Sequence, residues 1–97
     1  MKIPLRLYGV FRSAAGSATI QLNLSSPEPT VRSAIAELTS RPDCKDLRQL
    51  ILDGDSADPR PNALIMVSGR EIGTLDGLDT KLRETDELSL LPIAHGG

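Results

Sequence analysis

The sequence is poor in aromatic residues and has no excess of positive charge. Tyr8 and Phe11 are its only aromatic residues, and its formal net charge at pH 7 is -2. Single-stranded nucleic acids bind several aromatic faces along a basic groove, and duplex DNA and anionic membranes require an excess of lysine and arginine. The composition therefore argues against direct binding of nucleic acid or of a membrane surface.

The chain also has a single cysteine, Cys44, and a single histidine, His95. An internal disulfide is therefore impossible, and a zinc site would need more sulfur or imidazole ligands than the chain has. Residues 1–7 are neither a signal-peptide core nor a membrane span, because Lys2, Pro4 and Arg6 interrupt their apolar residues. We expect a cytoplasmic protein, in a reducing compartment, without a bound metal or cofactor.

Length and composition predict one ordinary globular domain. Of the 97 residues, 39% are hydrophobic and 25% are charged, which is typical of a chain with a packed core. Two domains would each lie near the ~40 residues below which a fold usually needs disulfides or metals. We therefore assign residues 1–93 to one domain and residues 94–97 to a flexible C-terminal tail.

The hydrophobic pattern of the first half predicts two strands and a helix. Alternation predicts a first strand over residues 2–11 and a second strand ending at Leu24, joined as a hairpin by a turn over residues 12–17. Thr30 is a predicted N-cap. The helix after it has an apolar stripe and ends before Pro42; the stripe consists of Val31, Ala34, Ile35 and Leu38.

The second half predicts a shorter helix within residues 43–52, a loop over 53–62, and three further strands. The continuous apolar run 63–67 predicts a strand buried on both faces or central in the sheet. Residues 70–72 predict a short edge strand, and residues 87–93 predict a last strand with Leu88 and Leu90 inward. This order of elements predicts an α+β roll of the ubiquitin type, with the first and last strands adjacent in the middle.

The sequence ends in Gly96-Gly97, which predicts a flexible end that can enter a narrow cleft. Five residues beyond Pro92 extend over roughly 16 Å at ~3.3 Å per residue, which is enough to reach a buried active site. A carboxylate at Gly97 is a poor electrophile at pH 7, so acyl transfer needs activation, most simply as an acyl-adenylate made with ATP. The chain has no phosphate-binding loop, so a partner enzyme would use the ATP. The alternative is an inert tail on a domain that binds partners non-covalently.

Three segments and the diglycine end resemble a known family. The segments are residues 67–72 (VSGREI), 75–82 (LDGLDTKL) and 86–92 (DELSLLP), followed by Gly96-Gly97. They are similar to the MoaD and ThiS family of sulfur carriers and to archaeal ubiquitin-like small modifiers. The eukaryotic ubiquitin-related modifier ends similarly in His-Gly-Gly. The resemblance implies a β-grasp domain: a mixed sheet of four to five strands with one main helix packed on one face.

The resemblance further implies a carrier and not an enzyme. A ubiquitin-activating-type adenylyltransferase would adenylate Gly97, and a thiocarboxylate made from the adenylate would supply sulfur for molybdopterin, thiamin or tRNA. The implied partners are the molybdopterin synthase large subunit, with this chain as the small subunit, a sulfurtransferase or a tRNA thiolation enzyme. The other branch of the family joins the same carboxylate to target-protein lysines. His95 before the diglycine, and Leu90 and Leu91 where molybdopterin carriers favour phenylalanine, slightly favour this modifier branch.

The resemblance also selects candidate binding residues. Tyr8 and Leu91 are expected on the outward faces of adjacent strands, where the family docks its activating enzyme, and Pro92 and His95 are further candidate partner contacts. Tyr8 and Leu91 could alternatively be ordinary surface side chains, and a spacer role is favoured for His95. If the chain is itself modified, the candidate acceptors are the amino terminus and Lys2, Lys45 and Lys81.

Two further patterns are expected to be structural. Cys44 is expected to fill space beside the short helix, since Lys45 is its only cationic neighbour in the sequence and no base stands nearby to activate the thiol. A calcium loop would have a glutamate at its twelfth position, where Leu64 stands here. A solvated loop is therefore expected for the aspartates Asp53, Asp55 and Asp58.

Overall fold

The computed structural model describes residues 1–52, 54 and 56–93. Over these residues there are five strands and three α-helices: β1 (Lys2–Leu7), α1 (Gly9–Ala15), β2 (Thr19–Asn23), α2 (Val31–Ser40), α3 (Lys45–Ile51), β3 (Ala63–Val67), β4 (Arg70–Glu71) and β5 (Leu88–Pro92). Short 3₁₀ turns precede α3 at Pro42–Cys44 and lie between β4 and β5 at Ile72–Thr74 and Gly77–Asp79.

The strands form one mixed sheet in the order β2-β1-β5-β3-β4. The central strand is β5, which runs parallel to β1 and antiparallel to β3. The two outer pairings, β1 with β2 and β3 with β4, are antiparallel. The first and last strands are therefore adjacent in the middle and β4 is a short edge strand, which confirms the predicted α+β roll.

One face of the sheet is buried in a single core together with the helices. Alternate residues of β1, β3 and β5 point into this core, and each helix contributes apolar side chains to it. The strand residues are Ile3, Leu5, Leu7, Ala63, Ile65, Val67, Leu88 and Leu90; the helix residues are Phe11, Val31, Ala34, Ile35, Leu38, Leu47 and Ile51. The alternation leaves the opposite face of β1, β3 and β5 more accessible.

The main helix, α2, begins where the sequence predicts. Thr30 is its N-cap, and a reciprocal capping box forms: the Ser33 N–H donates to Thr30 Oγ1 at 3.2 Å, and the Thr30 N–H donates to Ser33 Oγ at 2.8 Å. The predicted apolar stripe is buried, and Pro42 follows the C-cap Arg41. The second predicted helix is also confirmed, as α3. The described part of the predicted 53–62 loop, residues 54 and 56–62, contains no helix or strand.

The first strand is shorter than predicted, and the predicted turn over residues 12–17 is wrong. The chain leaves β1 after Leu7, Gly9 takes a positive φ of 55°, and α1 follows directly. Phe11 is buried from this helix, which ends at Gly16 in the left-handed conformation. Apolar residues at positions 3, 5, 7 and 11 fit an alternating strand, but Phe11, Ala14 and Ala15 also have helical spacing. The chain forms the helix, because Phe11 packs into the core from α1. The two strands still pair antiparallel from Lys2↔Asn23 to Arg6↔Thr19.

The prediction for β3 is also wrong in one respect. This strand lies between β5 and the edge strand β4, and only Ala63, Ile65 and Val67 are buried. Leu64 is 37% exposed, because it points to the face that the helices do not cover. A continuous apolar run therefore has one open side here. No helix in the described ranges is long and apolar enough to span a membrane.

Candidate functional site

The central strand carries the chain to the predicted tail. Leu88 and Leu90 are fully buried, and β5 is paired along both edges. Its last residue, Pro92, is opposite Ala63, and the Ile93 N–H donates to the Asn62 carbonyl at 3.1 Å. The chain is thus fixed up to residue 93. The predicted tail residues, His95, Gly96 and Gly97, lie outside the described residues.

Beside this end of β5, apolar side chains form a row across the open face of the sheet. Leu64 of β3 is directly opposite Leu91 of β5. Continuing the β1–β5 register by one residue places Tyr8 on the other side of Leu91, and the Tyr8 N–H donates to the Leu90 carbonyl at 3.3 Å. Tyr8 is 42% exposed and Leu91 is half-buried. We refer to Tyr8, Leu91 and Leu64 as the apolar row.

The structure places Tyr8 differently from the sequence prediction. Tyr8 is not within a strand but is the N-cap residue of α1, immediately after β1. Its backbone is still extended, with φ -128° and ψ 158°, so its position relative to Leu91 is that of a strand residue. The sequence does not single out Leu64, because the apolar run 63–67 predicts a strand that is buried on both faces or central in the sheet. The register of β3 against β5 is what brings Leu64 into the row.

A row of mixed polarity lies next to the apolar row, and Arg6 and Glu87 are its charged pair. Ser89 is opposite both Arg6 and Met66, and the Arg6 guanidinium contacts the Glu87 carboxylate at 3.0 Å. The Arg6 and Glu87 side chains are 56% and 39% exposed, so this pair contributes little to stability. The open face therefore has an apolar strip with a charged border, which is the usual composition of a docking surface.

Comparison with known proteins identifies the family. No family model matches the chain. Small archaeal modifier protein 3 of Haloferax volcanii is 31% identical to it over 97 residues, which cover 100% of the chain and 100% of that protein. The chain belongs to the family of small archaeal modifiers and MoaD/ThiS-type sulfur carriers.

A second relative in this family, from Archaeoglobus fulgidus, is described as a proposed sulfur carrier protein. It is 35% identical over 77 residues, which cover 78% of the chain and 83% of that protein. The carrier-modifier family thus includes proteins named for both roles.

Solved structures show the same ubiquitin-like β-grasp fold. Small archaeal modifier protein 1 from Methanosarcina acetivorans is 28% identical, with a TM-score of 0.79 over 99% of this chain and 96% of that one. A structure of the complex between subunits 1 and 2 of the Helicobacter pylori molybdopterin-converting factor matches in fold, at 18% identity and a TM-score of 0.59 over 100% of both chains. The β-grasp fold predicted from the resemblance is confirmed.

In a chain of the modifier family, exposed amines are candidate acceptors. The three lysines are exposed, and none forms an ion pair within the described part of the chain; they are Lys2 in β1, Lys45 at the start of α3, and Lys81 in a bridge to Thr30. The Met1 amine differs, because it donates to the Leu24 carbonyl at 3.0 Å, and the Leu24 N–H donates back to the Met1 carbonyl at 2.8 Å. The amino terminus is therefore held against the strand pair.

The remaining sequence candidates are away from this site. Cys44 is 4% exposed, and burial raises the pKa of its thiol, so it behaves as a core residue. Asp58 is bound by Arg60, whose guanidinium lowers the pKa of the Asp58 carboxyl through contacts as short as 2.7 Å. No group of three potential metal ligands occurs among the described residues. Asp53 and Asp55 lie outside those residues.

A groove of about 710 Å³ lies between α2, α3 and residues 56–60. Its lining includes Arg32, Arg48 and Arg60 but no residue of β1, β3 or β5. Two of these arginines are neutralised by neighbouring carboxylates, Arg32 by Asp79 and Arg60 by Asp58. The groove is therefore not part of the candidate carrier site.

Proposed function

We propose that this chain is a ubiquitin-like carrier, and not an enzyme, that presents the carboxylate of Gly97 to a ubiquitin-activating-type adenylyltransferase. The observation that supports it most is the arrangement of β5: the central, fully paired strand ends at Pro92 beside the apolar row, and the diglycine sequence follows within five residues. Membership of the carrier-modifier family supports the same role.

The apolar row is the proposed docking surface. Tyr8 and Leu64 are more than one-third exposed and lie on either side of Leu91, so a partner that covers them gains apolar burial at the point where the tail leaves. Arg6 and Glu87 form the polar rim. Docking here and insertion of the tail are proposed as separate interactions, because Tyr8, Leu64 and Leu91 are positioned by the pairing of β1, β3 and β5.

The proposed chemistry uses one activated intermediate. A Gly97 carboxylate oxygen bonds to the α-phosphorus of ATP, and pyrophosphate leaves. A nucleophile then attacks the acyl carbon and displaces AMP. A lysine amine gives an isopeptide bond, whereas the terminal sulfur of a persulfide gives an acyl disulfide, from which a second thiol releases the thiocarboxylate.

Either outcome uses the same site on this chain. The sulfur branch would deliver the thiocarboxylate to the large subunit of molybdopterin synthase or to a tRNA thiolation enzyme; the modifier branch would deliver the acyl group to target-protein lysines. The two named relatives support one branch each, and the branches are not exclusive because they differ only in the nucleophile.

The test is ATP-pyrophosphate exchange with the cognate adenylyltransferase. We expect exchange with the intact chain and none after deletion of Gly96 and Gly97; circular dichroism is the control, because the deletion leaves the core of residues 1–93 intact. No exchange with the intact chain, or undiminished exchange after the deletion, contradicts the proposal and favours a non-covalent binding domain with an inert tail. Intact-mass measurement of the native protein separates the branches: a thiocarboxylate has the oxygen-to-sulfur mass increase, and conjugates leave a Gly-Gly remnant on lysines after proteolysis.

A further inference from the structure

Gly9 lies against the end of the central strand, where a side chain does not fit. A Cβ built on Gly9 would be 2.9 Å from Cγ and 3.5 Å from Cδ of Pro92. Carbon atoms that are not bonded prefer separations of roughly 3.5–4 Å, so an alanine here would push against the proline ring. Gly9 also has a φ of +55°, which glycine adopts at little cost and other residues disfavour.

Pro92 is held from a second direction by β3. It is opposite Ala63, and the next residue, Ile93, donates its N–H to the Asn62 carbonyl at 3.1 Å. The ring of Pro92 fixes its own φ, so the strand end has little freedom of its own. The connection between β1 and α1 on one side and the start of β3 on the other therefore hold the last strand residue in place.

This location matters because Pro92 is the last strand residue before the diglycine end. If the five residues beyond Pro92 are extended in the cleft of the partner, they span roughly 16 Å, and a tilt of about 20° at the strand end would move their far end by roughly 5 Å. Misplacement of a reacting atom by ~1 Å can lower a rate by about a hundredfold. A small shift of Pro92 thus has a large effect on presentation of the carboxylate.

We propose that Gly9 is a positioning residue for the carrier reaction. Its missing side chain lets the Pro92 ring occupy the space over the β1–α1 connection, and this contact sets the direction in which the chain continues beyond Ile93. The inference rests on the proposed function, since it concerns delivery of the Gly97 carboxylate to the adenylating partner. Gly9 acts through Pro92 and contacts neither ATP nor the reacting atoms.

The chain supplies a matched control for this inference in Gly16. Gly16 is at the other end of α1, has a φ of +72°, and has nothing within 4 Å of a built Cβ. Gly9→Ala and Gly16→Ala therefore introduce similar backbone strain, but only Gly9→Ala introduces a collision. We expect both to lose thermal stability, and Gly9→Ala to lose more. We expect Gly9→Ala alone to lower kcat for adenylation about tenfold, with a KM within about twofold of the unsubstituted chain because the apolar row is intact.

Removing the Pro92 ring, the other partner of the contact, should abolish the effect of Gly9→Ala on kcat. Pro92→Ala deletes the Cγ and Cδ atoms that the new methyl group would meet. In a chain that already has Pro92→Ala, we expect Gly9→Ala to change kcat less than about twofold, compared with about tenfold when Pro92 is present. An equal effect of Gly9→Ala in both backgrounds, or an effect equal to that of Gly16→Ala, overturns the inference, as does a change confined to KM.

A measurement without the partner keeps this inference distinguishable from the proposed function. Hydrogen exchange of the Ile93 amide reports whether the strand end is held, and we expect faster exchange in Gly9→Ala than in Gly16→Ala. If Gly9→Ala does not fold, Pro92→Ala alone serves, and we expect it also to speed exchange at Ile93. Unchanged protection of Ile93 overturns the inference, whereas failure of the unsubstituted chain to support ATP-pyrophosphate exchange overturns the proposed function.

Discussion

Leu90 and Leu91 are consecutive residues of β5 that point to opposite faces, so alanine at each position should separate stability from recognition. Leu90 is fully buried in the core, and Leu91 is half-buried on the open face. Truncating a buried leucine leaves a cavity and costs about 3 kcal/mol, which for a domain of this size lowers Tm by roughly 15 °C. Leu91 has two apolar neighbours on the open face, Leu64 and Tyr8, and losing both contacts costs about 1 kcal/mol.

The effect on binding to the activating enzyme should be larger for Leu91→Ala than for Leu90→Ala. If Leu91 is an anchor of the docking surface, Leu91→Ala raises the KM for adenylation about tenfold, which corresponds to about 1.4 kcal/mol. Leu90→Ala should leave KM nearly unchanged at a temperature where the variant is folded, since its side chain does not reach the open face.

Urea unfolding followed by far-ultraviolet circular dichroism is the suitable stability assay, because the chain has no tryptophan and one tyrosine. Pyrophosphate exchange over a range of carrier concentrations gives KM. Equal loss of stability in the two variants refutes the assignment of faces. An unchanged KM in Leu91→Ala refutes the docking surface while leaving the fold intact.

Three further predictions concern the helix cap, the cysteine and the acceptor amines. Thr30→Ala removes the acceptor for the Ser33 N–H and should lower the free energy of unfolding by about 1 kcal/mol, whereas Ser40→Ala at the exposed end of α2 should change it little; equal effects would falsify the role of the capping box. Burial raises the pKa of Cys44, so its contribution to stability is full below the pKa of the unfolded thiol and is lost as the pH rises through the folded-state pKa. The alkaline decline in urea midpoint should therefore be smaller in Cys44→Ala, and an identical decline contradicts this account. If self-conjugates form, peptide mapping should place the Gly-Gly remnant on Lys2, Lys45 or Lys81 and not on the Met1 amine, which is bound to Leu24; a linkage mainly through Met1 contradicts this.

The sequence predicts those elements whose local signals and tertiary environment agree. Thr30 is followed by a stripe of four apolar residues at helical spacing, and the structure has the cap, the helix and the burial together. The inward positions Leu88 and Leu90 were likewise predicted, because β5 has one buried and one open face and the alternation is visible in the sequence.

The wrong predictions concern short segments whose apolar residues fit two different structures or two different environments. Phe11 satisfies the alternation that begins at Ile3 and also the spacing of a helix with Ala14 and Ala15. Nothing local decides between them, because the choice depends on which face of the sheet needs covering. Similarly, the five apolar residues of β3 are compatible with burial on both sides, and only the assembled sheet shows that Leu64 has no helix above it. The apolar row was therefore only partly predictable.

The central position of β5 has a consequence for synthesis of the chain. During synthesis from the amino terminus, β1 and β2 exist before residues 88–92 are added, and until then the inner edge of β1 has unpaired N–H and C=O groups. Contacts such as Leu7 with Leu90 join distant parts of the sequence, so their formation is slow and closes the largest loop of the fold. The apolar row takes one residue from each side of β5 and one from β5 itself. A partner that binds this row therefore selects chains whose synthesis has already passed Leu91, which makes recognition of the sheet a test that the strand leading to the tail is in place.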